Sequence, residues 1–301
     1  MASGQASVAT QVLHCNLNVV DIASAAALYE HGLGMTVRMR SEEPAGDSSP
    51  MGIDGPTHSI VWFLYDHRGG RQSPAIEVVQ WLAPRTAGKA YDDRKAIGMQ
   101  ALRFAVPSSD DATSRLVAGG AAATGRAASA DDRTTVDAEL LDCDGVRLEL
   151  TQDRAVEKPT FVGLRVSCAD LDASAAWYRE LGWQAVGTDR KLRFEGDDDD
   201  AVVRRLALPA HPFELHLTTW SHREPGERAH SRGNDRGLFR MAFAVDDVRA
   251  ACDAIERRGR MRIGEPTYVP LPGTPLGGLW VSFAQDPDGV MAELVERRTQ
   301  A

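Results

Sequence analysis

The sequence predicts an α+β fold built from four copies of one βαβββ module. Three observations carry this. A phrase of alternating strand, capped helix and glycine stop occurs four times along the 301 residues. Each copy later closes on a strand that holds a glutamate between apolar neighbours. Between opening and close there is room for two more strands. A repeat of this kind outweighs any single motif.

The first copy, "LHCNLNVVDIASAAALYEHGLGM" (13–35), shows the pattern most plainly. Leu13, Cys15, Leu17 and Val19 alternate with His14, Asn16 and Asn18, the period of a half-buried strand. Asp21 suits a helix N-cap, and Gly32 and Gly34 suit the stop. The other openings start at Ala101 ("ALRFAVPSSDDATSRLVAGG"), Gly163 ("GLRVSCADLDASAAWYRELG") and Arg240 ("RMAFAVDDVRAACDAIERRG"). The closing strands are "AIEVVQW" around Glu77, "RLELTQ" around Glu149, "FELHLTTW" around Glu214 and "MAELVER" around Glu293. Two of them follow tight turns, "DCDG" (142–145) and "DPDG" (286–289). Middle strands are expected at 58–66, 201–209 and 279–285, and loops at 41–57 and 270–278, where Gly and Pro gather. Polar stretches near 84–96, 153–159 and 221–236 separate the modules, and "DDDD" (197–200) reads as a solvated turn.

Composition bounds the function. Apolar residues make up 43% and charged residues 26%, an ordinary globular balance. A net charge of −9 argues against nucleic-acid binding. Cys15, Cys143, Cys168 and Cys252 lie far apart, which suits buried thiols in a reducing compartment. The small polar start "MASGQASVATQ" has no secretion pattern, and no apolar run is long enough for a membrane span, so a cytoplasmic protein is expected. No nucleotide loop or nucleophile elbow is present, so no nucleotide cofactor is expected. The expected partner is a small molecule, with the chain a monomer or a homodimer.

Four such units resemble the vicinal oxygen chelate superfamily of glyoxalases, bleomycin-resistance proteins and extradiol dioxygenases. The phrases that carry the resemblance are "HCNLNVVDIASAAALYEHGLGM", "DLDASAAWYRELGW", "FRMAFAVDDVRAACDAI" and "DPDGVMAELVE". It implies that modules pair into two open eight-stranded barrel-like domains: modules 1 and 2 over residues 10–152, and modules 3 and 4 over 160–298. It also implies metal ligands from the first and last strands of the paired modules. For the first cleft the positions read His14, Glu77, Ala101 and Glu149, so a set of His14, Glu77 and Glu149 is implied for one divalent ion, Fe, Mn, Ni or Zn. The ion would act as a Lewis acid on a substrate with vicinal oxygens. The two His and one Glu expected of two-domain ring-cleaving dioxygenases fall on Gly163, Arg240 and Glu293, so that chemistry is disfavoured.

Side-chain parity gives an independent reading of the clefts. His14, Asn16, Asn18, Glu77, Arg103, Arg147 and Glu149 should line the first, and Arg165, Glu214, His216, Arg240 and Glu293 the second. Glutamates that share a cleft with arginines can be neutralised by guanidinium groups as well as by a metal. An enzyme in which Glu77 or Glu149 is the general base, and a metal-free protein that sequesters a small antibiotic-type molecule, both fit the same residues. Arg240 in a ligand position points to pairing with Glu293 or Glu214, or to an acidic ligand group.

Overall fold

In the computed structural model the described residues are 9–70, 72–129, 134–209, 211–221, 230, 232–257, 262–271 and 277–296. Module 1 comprises β1 (Gln11–Val19), α1 (Ile22–Leu33), β2 (Thr36–Asp47), β3 (Pro56–Tyr65) and β4 (Ala75–Ala83). Module 2 comprises β5 (Gly98–Val106), α2 (Ser109–Ala118), β6 (Ala122–Ser129), β7 (Val136–Leu141) and β8 (Arg147–Gln152). Module 3 comprises β9 (Thr160–Ser167), α3 (Leu171–Glu180), β10 (Gln184–Ala185), β11 (Arg190–Phe194), β12 (Ala201–Ala207) and β13 (Glu214–Trp220). Module 4 comprises β14 (Gly237–Val245), α4 (Val248–Arg257), β15 (Arg262–Leu271), β16 (Gly277–Gln285) and β17 (Met291–Glu296). Among the described residues no helix is long and apolar enough to cross a membrane. The expected loop at 270–278 falls partly on strand ends; residues 272–276 lie outside the described residues, as does His222.

The sheets pair the modules differently from the implied order. One sheet runs β15-β16-β17-β14-β1-β4-β3-β2, joining module 1 to module 4. The other joins module 2 to module 3, in the order β10-β12-β11-β6-β7-β8-β5-β9-β13. The seams are antiparallel pairs of first strands, with His14 opposite Ala242 in one and Ala101 opposite Arg165 in the other. Modules 1 and 2 meet instead through helices. They approach closely at Gly32 of α1, where a Cβ would lie 2.5 Å from the Leu116 Cδ2 of α2. The helix therefore runs past Gly32 and stops at Gly34, whose φ of 66° is cheap for glycine. Asp21 caps the other end, accepting from the Ser24 N–H at 2.7 Å.

The two sheets also differ in closure. Among the described residues the sheet of modules 1 and 4 ends at β2 on one side and β15 on the other without closing. That of modules 2 and 3 closes on itself, because β11 pairs with β6 and β12 with β13. Its ninth strand arises because the second strand of module 3 breaks into β10 and β11, which both pair with β12. The end of this barrel is filled by Ala127, Val136, Leu192, Phe194, Ala201, Val203 and Trp220.

Most of the remaining apolar burial lies between sheets and helices, where Cys15, Leu17 and Val19 sit with Tyr29, Leu116, Trp177 and Phe243. Leu13 departs from its expected parity. A register shift between Val12 and His14 sends Val12 to this core and Leu13 to a cluster with Ala242, Val281 and Val295.

The two tight turns are structural twins. Asp142 Oδ1 accepts from the Asp144 and Val146 N–H groups at 2.9 and 2.8 Å, and Oδ2 accepts from Tyr29 Oη at 2.9 Å. Asp286 does the same with Asp288, Val290 and Tyr178. Each turn thus ties down the helix of the preceding module. Burial pushes Asp142 up to about 6 and Asp286 up to about 7, against the pull of the backbone N–H groups. A carboxyl raised above its unfolded value of 3.8 holds a proton that the unfolded chain releases. Stability is therefore lost as pH rises from about 4 to about 7. The double replacement Asp142→Asn with Asp286→Asn is expected to flatten Tm against pH over this range. Thermal melts check this, and an unchanged slope contradicts it.

Candidate functional site

The open cleft of modules 1 and 4 holds a compact ionic cluster. Arg240 on β14 is its centre. Its Nε donates to Glu293 Oε2 at 2.6 Å, and its Nη2 donates to Glu77 Oε1 and Oε2 at 2.9 and 2.7 Å. His14 Nε2 on β1 lies 3.4 Å from both Glu77 Oε2 and Glu293 Oε2. All four come from first or last strands: β1 and β4 run parallel with Asn16 beside Glu77, and β14 and β17 with Ala242 beside Glu293. Apolar groups wall the cluster: Phe63 packs edge-on against the His14 ring at 5.6 Å, and Met51 Sδ lies 3.5 Å from Arg240 Nη1.

The charges explain the protonation. Glu77 and Glu293 contribute two negative charges and Arg240 one positive, so a protonated His14 brings the cluster to neutrality. Burial pulls the His14 imidazolium down, but the Glu77 charge and the bond to Glu293 outweigh it, and its pKa is raised from 6.5. Burial alone would raise Glu293; Arg240 and His14 hold it down at about 2.

Glu149 does not join His14, because β8 belongs to the closed barrel. There Arg165 Nε and Nη2 donate to Glu149 Oε1 and Oε2 at 2.5 and 2.8 Å, and Arg103 Nε donates to Oε2 at 3.1 Å. His216 Nε2 lies 2.7 Å from Arg103 Nη1 and 3.2 Å from Glu214 Oε2, and Arg205 Nε donates to Glu214 at 2.8 Å. Burial pulls His216 down to about 3, helped by Arg103, so Nε2 accepts from the guanidinium. The Glu149 carboxyl, which burial would raise, is held at about 2 by Arg165 and Arg103. Two histidines on the same scaffold thus take opposite states, one facing carboxylates and one facing guanidinium groups.

Several expected ligand-binding residues are engaged elsewhere. Arg147 turns from Glu149 to the Tyr91 carbonyl at 2.8 Å, with Gln100 Oε1 at 3.3 Å. Asn18 donates to the Gly233 and Asp235 carbonyls at 2.8 Å and accepts from Trp81 Nε1 at 3.0 Å. These bonds tie β1 to the segment before β14. Asn16 is fully buried, and among the described residues neither its Nδ2 nor its Oδ1 has a hydrogen-bond partner. Parity found His14, Glu77, Arg240 and Glu293 but split them between two clefts. Met51 carried no sequence signal: the stretch 41–57 expected to be a loop instead holds the end of β2, a 3-10 turn at Ser49–Met51 and the start of β3, and the turn brings Met51 to Arg240.

An ion in this cleft would need His14, Glu77 and Glu293, with Arg240 in the fourth ligand position. The donor set does not fit one. An ion at the usual ~2 Å from carboxylate oxygens would compete for lone pairs that Arg240 already occupies, and it needs His14 neutral. Among the described residues no group of three or more His, Cys, Asp or Glu is arranged to hold a metal. The implied set of His14, Glu77 and Glu149 is not brought together: Glu149 lies in the closed barrel, and His14 and Glu77 meet Glu293 and Arg240 instead.

Comparison with known proteins agrees with this architecture. A sequence model described as "Glyoxalase/Bleomycin resistance protein/Dioxygenase superfamily" matches residues 11–150 and 160–294. A "Probable lactoylglutathione lyase" of Vibrio cholerae is 36% identical over 138 residues, covering 43% of this chain and 84% of that protein. Its namesake from Vibrio parahaemolyticus is 29% identical over 138 residues, with the same coverage of 43% and 84%. Glyoxalase I from Zea mays superposes with a TM-score of 0.67 at 18% identity, over 95% of this chain and 92% of that one, a likeness of fold alone. With its family model matched twice and its modules laid out in the same fold, the chain belongs to the Glyoxalase/Bleomycin resistance protein/Dioxygenase superfamily.

Proposed function

We propose that this chain is a small-molecule enzyme that works in the cleft of modules 1 and 4 by proton transfer through His14, without a metal ion. The observation that supports it most is Arg240 bonded to both Glu77 and Glu293. That guanidinium supplies a fixed positive charge at the place a Lewis acid would take. It can stabilise an enolate as charge develops on a substrate oxygen. His14, its pKa raised from 6.5 and its Nε2 wedged between two carboxylates, is placed to give and take a proton. Glu77 and Glu293 orient it and balance its charge. The relatives' printed name suggests a 2-hydroxyacyl thioester as a first substrate class. The closed barrel serves as a scaffold in this reading, since its histidine, His216, is fully buried and held down at about 3 by burial and Arg103.

Exchange of a carbon-bound proton tests this. In D2O, the protein should wash deuterium into the α-carbon of S-lactoylglutathione or another 2-hydroxyacyl thioester, read by proton NMR. EDTA should leave the rate unchanged, and His14→Ala should lower it by about 10²–10⁴-fold, the usual worth of a general acid–base. Abolition by EDTA, or full activity of His14→Ala, contradicts the proposal.

A further inference from the structure

Asn16 is the one cleft residue whose chemistry the acid–base cluster leaves unexplained. It lies on β1 between His14 and Asn18, beside Glu77 in the parallel register with β4 and at a register shift of β1 against β14 between Cys15 and Leu17. Its neighbour Asn18 uses both amide atoms within the fold. Asn16 uses neither, although it is as deeply buried. A buried carboxamide with an unmet donor and an unmet acceptor is costly, and a leucine of similar size would not bear that cost.

We propose that Asn16 reads the ligand, pairing its Nδ2–H and Oδ1 with a C=O and an N–H that lie side by side on the bound molecule. The inference rests on the cleft of modules 1 and 4 being the working site. The side-chain amide is planar and presents donor and acceptor on one edge. Its complement is a cis-amide edge, as in a lactam, or a primary carboxamide. A ligand with vicinal oxygen acceptors alone would satisfy Nδ2 and leave Oδ1 unmet. Arg240 Nη1, whose recorded neighbour is a weakly accepting thioether, can take a further ligand carbonyl if Met51 moves aside. Apolar Val79, Val61 and Phe283 near the cleft suit a ligand with a hydrocarbon body.

Three fragments of nearly one shape test this on the full chain: 2-piperidone, N-methyl-2-piperidone and cyclohexanone. Binding is followed in wild type and in Asn16→Leu alike by saturation-transfer NMR on the fragments, and in wild type also on the Asn16 side-chain amide resonance. The lactam should bind about tenfold more tightly than either isostere, as expected for two neutral hydrogen bonds of ordinary strength. In Asn16→Leu that preference should vanish and Tm should rise, because the unmet amide is gone. Equal binding of the three fragments, no saturable shift from any of them, a preference that survives in Asn16→Leu, or a fall in its Tm overturns the assignment. Proton exchange through His14 is measured separately, so a failed lactam preference leaves that reading standing, and a failed exchange leaves this one.

Discussion

Glu149→Ala is expected to destabilise the protein by about 3–5 kcal/mol, the cost of leaving buried charge without its partner. Two guanidinium groups lose their shared carboxylate at once. Arg165 and Arg103 are both nearly inaccessible, at 2% exposure each, so solvent cannot take over. His216 offers no relief, because it is neutral and already accepts from Arg103. Glu149→Gln should fall between the two, since it keeps one acceptor. Replacing Glu149, Arg103 and Arg165 together by apolar residues should recover most of the loss, because no charge is then stranded. Acid should act on the same cluster. The stability from Glu149 is present above 4.5 and is lost as pH falls toward about 2. His216 adds to this, since the unfolded histidine takes a proton below 6.5 that the folded one refuses until about 3. Urea titrations of wild type and variants check both points. A loss below about 1 kcal/mol for Glu149→Ala would mean that water enters the barrel.

Arg240→Gln should have a comparable cost, again about 3–5 kcal/mol, for the opposite reason. Glu77 and Glu293 would then face each other with His14 as their remaining cation. The lowering influence of Arg240 on the His14 pKa would also go, so His14 should bind its proton more tightly. The variant should be more stable in acid and lose stability as pH rises through the His14 titration. A divalent ion should now compete for His14, Glu77 and Glu293. At 100 times its dissociation constant it would return about 2.7 kcal/mol of stability. Thermal melts with and without Mn²⁺ or Zn²⁺ read this directly. A variant as stable as wild type and indifferent to ions would mean that Arg240 does not hold the cluster.

Much of this was legible in the residues, because local pattern determines local structure. Alternation placed His14, Glu77, Glu149, Arg240 and Glu293 on cleft faces, and Asp21 and Gly34 marked the limits of α1. What periodicity cannot say is which module pairs with which. A first strand such as β1 has the same antiparallel edge to offer β5 or β14, and every module brings a carboxylate. The outcome is seen in packing away from the site: α1 lies against α2 at Gly32, and β1 pairs with β14. The split of module 3 into β10 and β11, which closes the second barrel, is likewise set by the pairing of Leu192–Phe194 with β6. Arg103, Arg147 and Arg165 look alike in sequence, yet two bind Glu149 and the third binds backbone carbonyls. Long side chains choose partners from whatever the tertiary fold brings within reach.

The His14 imidazole itself reports most directly on the cluster. Its 15N resonances, followed through a pH titration of untagged wild-type protein with and without one equivalent of Zn²⁺, should give a pKa above 6.5 that the ion does not move. A His14 that stays neutral near pH 6, or an Nε2 resonance that shifts to a metal-bound position when the ion is added, would show that an ion and not Arg240 holds Glu77 and Glu293 together.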